Sequence, residues 1–73
     1  MTETELRVLE MAESASGKEN LDLETEVSAL GMDSLDHIFF VQELEDEFEL
    51  NISDDDACAW KTLKDIARYM DDT

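Results

Sequence analysis

The amino-acid sequence predicts an all-α fold: a four-helix bundle with three main helices and one short one. Apolar residues recur at helical spacing along most of the chain, and it contains no proline to interrupt a segment. The third observation is size. With 73 residues, of which 42% are hydrophobic, the chain is expected to form one domain, residues 1–73. A domain of this length buries only about 60% of the surface its unfolded chain exposes. A deep cleft beside a separate core does not fit in it.

The first helix starts at a capping box. Thr2 and Glu5 stand three apart, so hydroxyl and carboxylate can each satisfy a free N–H at the helix start. Leu6, Leu9 and Ala12, with Val8 beside them, form the expected apolar stripe, and Gly17 is the expected stop. Residues 18–33 read as a long loop pinned to the core by Leu21, Leu23, Val27 and Leu30. Loops this long in small domains are usually functional.

Residues 34–50 carry the strongest helical pattern, with Asp33 as N-cap. At 100° per residue, Phe40, Val41, Leu44 and Phe48 share the core face, with His37 near it. Leu35 and Phe39 point outward on nearly the opposite side, beside Gln42 and Asp46. A short helix follows, capped by Ser53 or Asp54 and running to about Trp60. Thr62 is the expected cap of a last helix striped by Leu63, Ile66, Ala67 and Met70.

Charge narrows the function. The formal net charge is −16, from 21 acidic and 5 basic residues. Between Glu19 and Trp60 there are 14 carboxylates and no Lys or Arg. Phosphate backbones and anionic lipid surfaces attract Lys and Arg, so no nucleic-acid or membrane partner is expected. A one-sign face of this kind is either a solvated surface or a docking face for basic partners. One Cys and one His supply neither a disulfide nor a metal site. The start of the chain lacks the basic and apolar regions of a signal peptide. The expectation is a cytoplasmic monomer with no bound metal.

The informative stretch is Leu30-Gly31-Met32-Asp33-Ser34-Leu35-Asp36. A serine in the first turn of the strongest helix lies where free N–H groups and the helix dipole favour an anion. A phosphodiester attached to Ser34 would sit in that field. A serine at this place is also what an ordinary helix cap requires, and position alone favours that plainer reading. Catalysis by Ser34 is not expected. There is no G-x-S-x-G elbow, and His37, on the inward face, is expected to point away from it. Cys58 reads as a small buried hydrophobe, and Trp60 and Tyr69 as core or core-edge residues.

These residues resemble the acyl carrier proteins. The resemblance rests on the Leu30–Asp36 stretch, the acidic helix ending Leu44-Glu45-Asp46-Glu47-Phe48, and the Ile52-Ser53-Asp54-Asp55-Asp56-Ala57 segment before a final amphipathic helix. It implies an acyl-carrier-protein-like four-helix bundle that acts as a carrier rather than an enzyme. Ser34 would carry a 4′-phosphopantetheine arm, installed from coenzyme A by a holo-acyl-carrier-protein synthase or other phosphopantetheinyl transferase. Asp33 would position that transferase and its Mg²⁺. The arm's thiol would hold acyl, aminoacyl or polyketide intermediates as thioesters. Leu35, Asp36, Phe39, Gln42, Glu43, Asp46 and Glu47 would dock loading ligases, synthases and transferases through basic patches. Phe39 stands where many fatty-acid carriers have Glu, and Ser53 replaces a frequent proline. Such departures imply a specialised rather than housekeeping member. The competing reading is an acidic helical interaction module, or nucleic-acid mimic, with no prosthetic group.

Overall fold

The computed structural model describes residues 1–72. Helix α1 spans Glu3–Ser16, a 3₁₀ turn spans Val27–Leu30, and α2 spans Ser34–Phe48. Helix α3 is the short Asp54–Ala59, and α4 is Leu63–Asp72. The all-α expectation holds, with three main helices and one short one.

Helix α1 begins as its sequence dictates. The Thr2 hydroxyl accepts from the Glu5 N–H at 3.1 Å, and the Glu5 carboxylate accepts from the Thr2 N–H at 2.8 Å. That N–H holds the Glu5 carboxyl below its ordinary range. Gly17 ends the helix in the left-handed region, φ 73°, which glycine adopts without steric cost. The buried face consists of Val8, Leu9, Met11 and Ala12. Leu6, expected in that stripe, is exposed. Helix α1 lies against both α4 and α2, and Val8, Ala12 and Met11 centre its contact face away from Leu6.

The core joins that face to Leu30, Phe40 and Leu44, and to Leu63, Ile66, Ala67 and Met70 of α4. The α4 stripe is buried as the sequence predicts. Its cap is different. The Leu63 and Lys64 N–H groups donate to the backbone carbonyls of Thr25 and Leu23, at 3.1 and 3.0 Å. The Val27 N–H returns a bond to the Lys61 carbonyl at 2.8 Å. The Asp65 carboxylate accepts from the Lys61 and Thr62 N–H groups, at 2.9 and 3.2 Å, and these bonds hold its pKa low. Loop carbonyls and Asp65 therefore do the work expected of Thr62.

Residues 18–33 are thus strapped rather than loose. Leu21, Leu23 and Val27 pack on the core and Leu30 is buried in it. The Leu21 N–H donates to the Glu13 carboxylate at 3.1 Å. The 3₁₀ turn was not legible in the irregular apolar spacing. Gly31 follows it at φ 73°, and the reversal there delivers the chain to the start of α2.

Helix α2 ends at Phe48, two residues before the expected 50, because Glu49 turns left-handed, φ 53° and ψ 52°. The Glu45 carboxylate then accepts from the Ile52 N–H at 2.8 Å. Helix α3 takes Ser53 as its cap, with the hydroxyl accepting from the Asp56 N–H at 3.1 Å. The Tyr69 hydroxyl donates to Asp56 at 3.0 Å and ties α3 to α4. That bond, with some burial, raises the Tyr69 pKa. Trp60 and Tyr69 meet edge to face, with centroids 5.6 Å apart.

Candidate functional site

The strap ends at Asp33, whose extended backbone, φ −81° and ψ −177°, makes it the N-cap of α2. Its Oδ1 accepts from the Asp36 N–H at 2.9 Å. Its carbonyl accepts from the His37 N–H at 2.9 Å. Ser34 is therefore the first residue inside the helix, not its cap. It is exposed, and its hydroxyl enters none of the hydrogen bonds among the described residues. The N–H groups of Ser34 and Leu35 belong to the first turn and have no acceptor within the helix. A nucleophilic or modifiable hydroxyl thus stands at the positive end of the helix dipole.

Ser34 sits on the wall of an open groove of about 860 Å³ that runs between α2, the 3₁₀ turn and α3. Val41, Ile52, Ala57 and Trp60 give it apolar lining; His37, Gln42, Glu45 and Asp54 add polar groups. His37 was expected to point away from Ser34, but it is half-buried on the same groove wall. No hydrogen bond joins the two among the described residues, so no general base is aimed at the serine. Cys58 was expected to be buried, but it is exposed and lines the groove. Ala57, its neighbour, takes the buried position instead.

The outward face of α2 is as the sequence predicts, and larger. Leu35 is 58% exposed and Phe39 53%. Ile38, between that pair and the groove it also lines, is 51% exposed. Its spacing of three from Leu35 was the available signal. Gln42, Asp36, Glu43 and Asp46 are exposed around this apolar patch.

Glu47 stands apart from that group. The Arg7 guanidinium reaches its carboxylate at 2.9 Å and Glu10 at 3.2 Å. Arg7 holds the Glu47 carboxyl below its ordinary range, and Glu47 in turn raises the Arg7 pKa. Glu47 therefore faces α1, where Glu43 and Asp46 also border the shallow cleft around Arg7. Among the described residues, no cluster of His, Cys, Asp and Glu has the arrangement of a metal site. Nor is any helix there long and apolar enough to cross a membrane.

Comparison with known proteins places this geometry in a family. The family model described as a phosphopantetheine attachment site matches residues 6–70. An acyl carrier protein of Bdellovibrio bacteriovorus is 44% identical over 45 residues, which are 62% of this chain. That matched stretch spans 58% of the Bdellovibrio protein, less than two thirds of its length. The crystal structure of an acyl carrier protein from Thermotoga maritima superposes with a TM-score of 0.73 at 33% identity. It covers 92% of this chain and 81% of that one. The sequence match runs from α1 into α4, and the fold agrees over nearly the same span; the chain belongs to the phosphopantetheine attachment family, and its fold is that of an acyl carrier protein.

Proposed function

We propose that the protein is a carrier whose Ser34 hydroxyl is the attachment point of 4′-phosphopantetheine. One observation carries the reading: Asp33 caps α2, which leaves the exposed Ser34 hydroxyl with no structural task. The donor set fits a phosphodiester there. The N–H groups of Ser34 and Leu35 are free to meet an anion, and the groove beside them offers an apolar lining. When bound, the arm supplies a terminal thiol on which an acyl, aminoacyl or polyketide unit is held as a thioester. The chain's own part is to present that hydroxyl, steady the phosphate and offer partner enzymes a face.

Asp33 has a role toward the transferase. Its Oδ1 is committed to the Asp36 N–H, which leaves the other oxygen for the transferase's metal. The partner face is the patch of Leu35, Phe39 and Gln42, rimmed by Asp36, Glu43 and Asp46, with Ile38 as an added member. Glu47 takes part only by leaving Arg7, so it belongs to the margin of that face. Such a face suits partners with an apolar socket and a basic rim: a phosphopantetheinyl transferase, and loading ligases, synthases or transferases. The setting proposed is the cytoplasm, where coenzyme A is at hand.

The test is an intact mass after incubation with coenzyme A, Mg²⁺ and a broad-specificity phosphopantetheinyl transferase, alongside Ser34→Ala. A gain of one phosphopantetheinyl group on the wild type alone is expected. A gain on both proteins, or on neither with an active transferase, overturns the assignment of Ser34. In the second case the acidic interaction module becomes the better reading.

A further inference from the structure

We propose that His37 is a positioning residue for the arm, its ring N–H donating to a phosphodiester oxygen of the group carried on Ser34. The inference rests on Ser34 being the attachment site. His37 follows Ser34 by three residues on α2, so the two side chains are neighbours on the helix surface, and both line the groove. The His37 side chain is half-buried, yet its ring enters none of the hydrogen bonds among the described residues, so both ring nitrogens are uncommitted. Between Glu19 and Trp60 it is the one side chain able to carry a positive charge.

The groove wall is largely acidic, with Ser28, Gln42 and the Cys58 thiol among its other side-chain donors. Asp33 approaches from the loop, Glu45 from α2, and Asp54 and Cys58 from α3, all on the groove wall. Asp36 lies on α2 next in sequence, with its N–H taken by Asp33. Ionised carboxylates only accept hydrogen bonds, so the Asp and Glu side chains cannot serve an anionic phosphate, and of the groove's donors His37 is the one within a turn of Ser34 on α2. The Ser34 and Leu35 N–H groups hold a phosphate at the helix tip. A donor one turn further along, on the groove side, turns the arm toward the groove rather than into solvent.

Phosphorus NMR of the loaded protein, from about pH 5.5 to 8, tests this, because histidine titrates in that range while a phosphodiester has no proton to lose there. The expected result is a single phosphorus resonance that moves with pH in the wild type and stays fixed in His37→Gln, whose amide donates but does not titrate. A resonance that is flat in the wild type overturns the proposal without any variant. A resonance that moves equally in His37→Gln, with its helical circular dichroism intact, overturns it too. Failure is separable from failure of the function. A mass gain mapped to Ser34 with a flat resonance removes only His37, whereas no gain removes the Ser34 assignment and this proposal with it.

Discussion

Glu49 is the residue whose replacement most directly tests the backbone of α2. It closes the helix at φ 53° and ψ 52°, with its N–H donating to the Glu45 carbonyl. For an L-residue this left-handed conformation costs about 1–2 kcal/mol. Glycine pays no such strain but loses about 0.5–1 kcal/mol more backbone entropy on ordering. The difference favours Glu49→Gly by roughly 0.5–1 kcal/mol. Glutamate is also the wrong charge for a helix C-terminus, and removing it recovers about 0.3–1 kcal/mol. The variant should therefore be more stable by about 1–2 kcal/mol, and each kcal/mol raises the melting temperature of a chain this size by about 4–8 °C. Glu49→Gln separates the two contributions, since it removes the charge and keeps the strain. Urea unfolding with an unchanged slope is the assay. If Glu49→Gly proves no more stable than Glu49→Gln, the left-handed cap carries no strain and the reasoning fails.

Asp65 contributes to the acid side of the stability curve, as Glu5 and Glu47 do. Its carboxyl is held low by the Lys61 and Thr62 N–H groups. Its contribution is therefore complete above the ordinary Asp pKa and is lost as pH falls through the lower folded value. Asp65→Ala should lower stability at neutral pH by about 1 kcal/mol, the usual cost of removing a side-chain acceptor at a helix start. It should also flatten the acid limb of a pH series of urea unfolding curves, and an unchanged limb would contradict the assignment. A different measurement addresses the groove. Helix α3 is six residues long and buries only Ala57, so local opening should cost least there. Amide exchange should be fastest across residues 50–60 and slower across residues 23–27; the reverse order would mean that the strap, not α3, is the yielding wall.

The helices were legible because each carries its own periodicity and its own cap. Thr2 with Glu5, Gly17, Asp33 and Ser53 all act where the sequence placed them. What was not legible depends on contacts between distant segments. The caps of α4 are carbonyls of Thr25 and Leu23, about forty residues away along the chain, and no local pattern announces them. The end of α2 at Phe48 turns on one dihedral at Glu49, a residue with no propensity for it. Leu6 sits at a spacing that fits the α1 stripe, yet the direction in which α4 and α2 approach decides which side of α1 is covered. At the site, motif spacing points to Ser34 and Asp33, and Asp33 caps α2 as expected. That His37 and Cys58 share a groove with the serine required the fold that sets α3 beside α2.

The acidic field that looks uniform in the sequence divides into two populations in the fold. Glu5, Glu13, Asp22, Asp33, Glu45 and Asp65 each accept a backbone N–H. Glu10 and Glu47 are paired with Arg7. These acids serve the fold, and in a chain with 5 basic residues carboxylates take on capping work that elsewhere falls to other polar groups. Asp36, Glu43 and Asp46 make no such bond among the described residues, and they surround the exposed Leu35, Ile38 and Phe39. Net charge therefore overstates the proposed docking face, which is a few carboxylates on one side of α2. Neutralising those three should slow partner association at low salt and leave the fold intact. Neutralising the capping acids would cost stability first, and any loss of partner binding would follow from that.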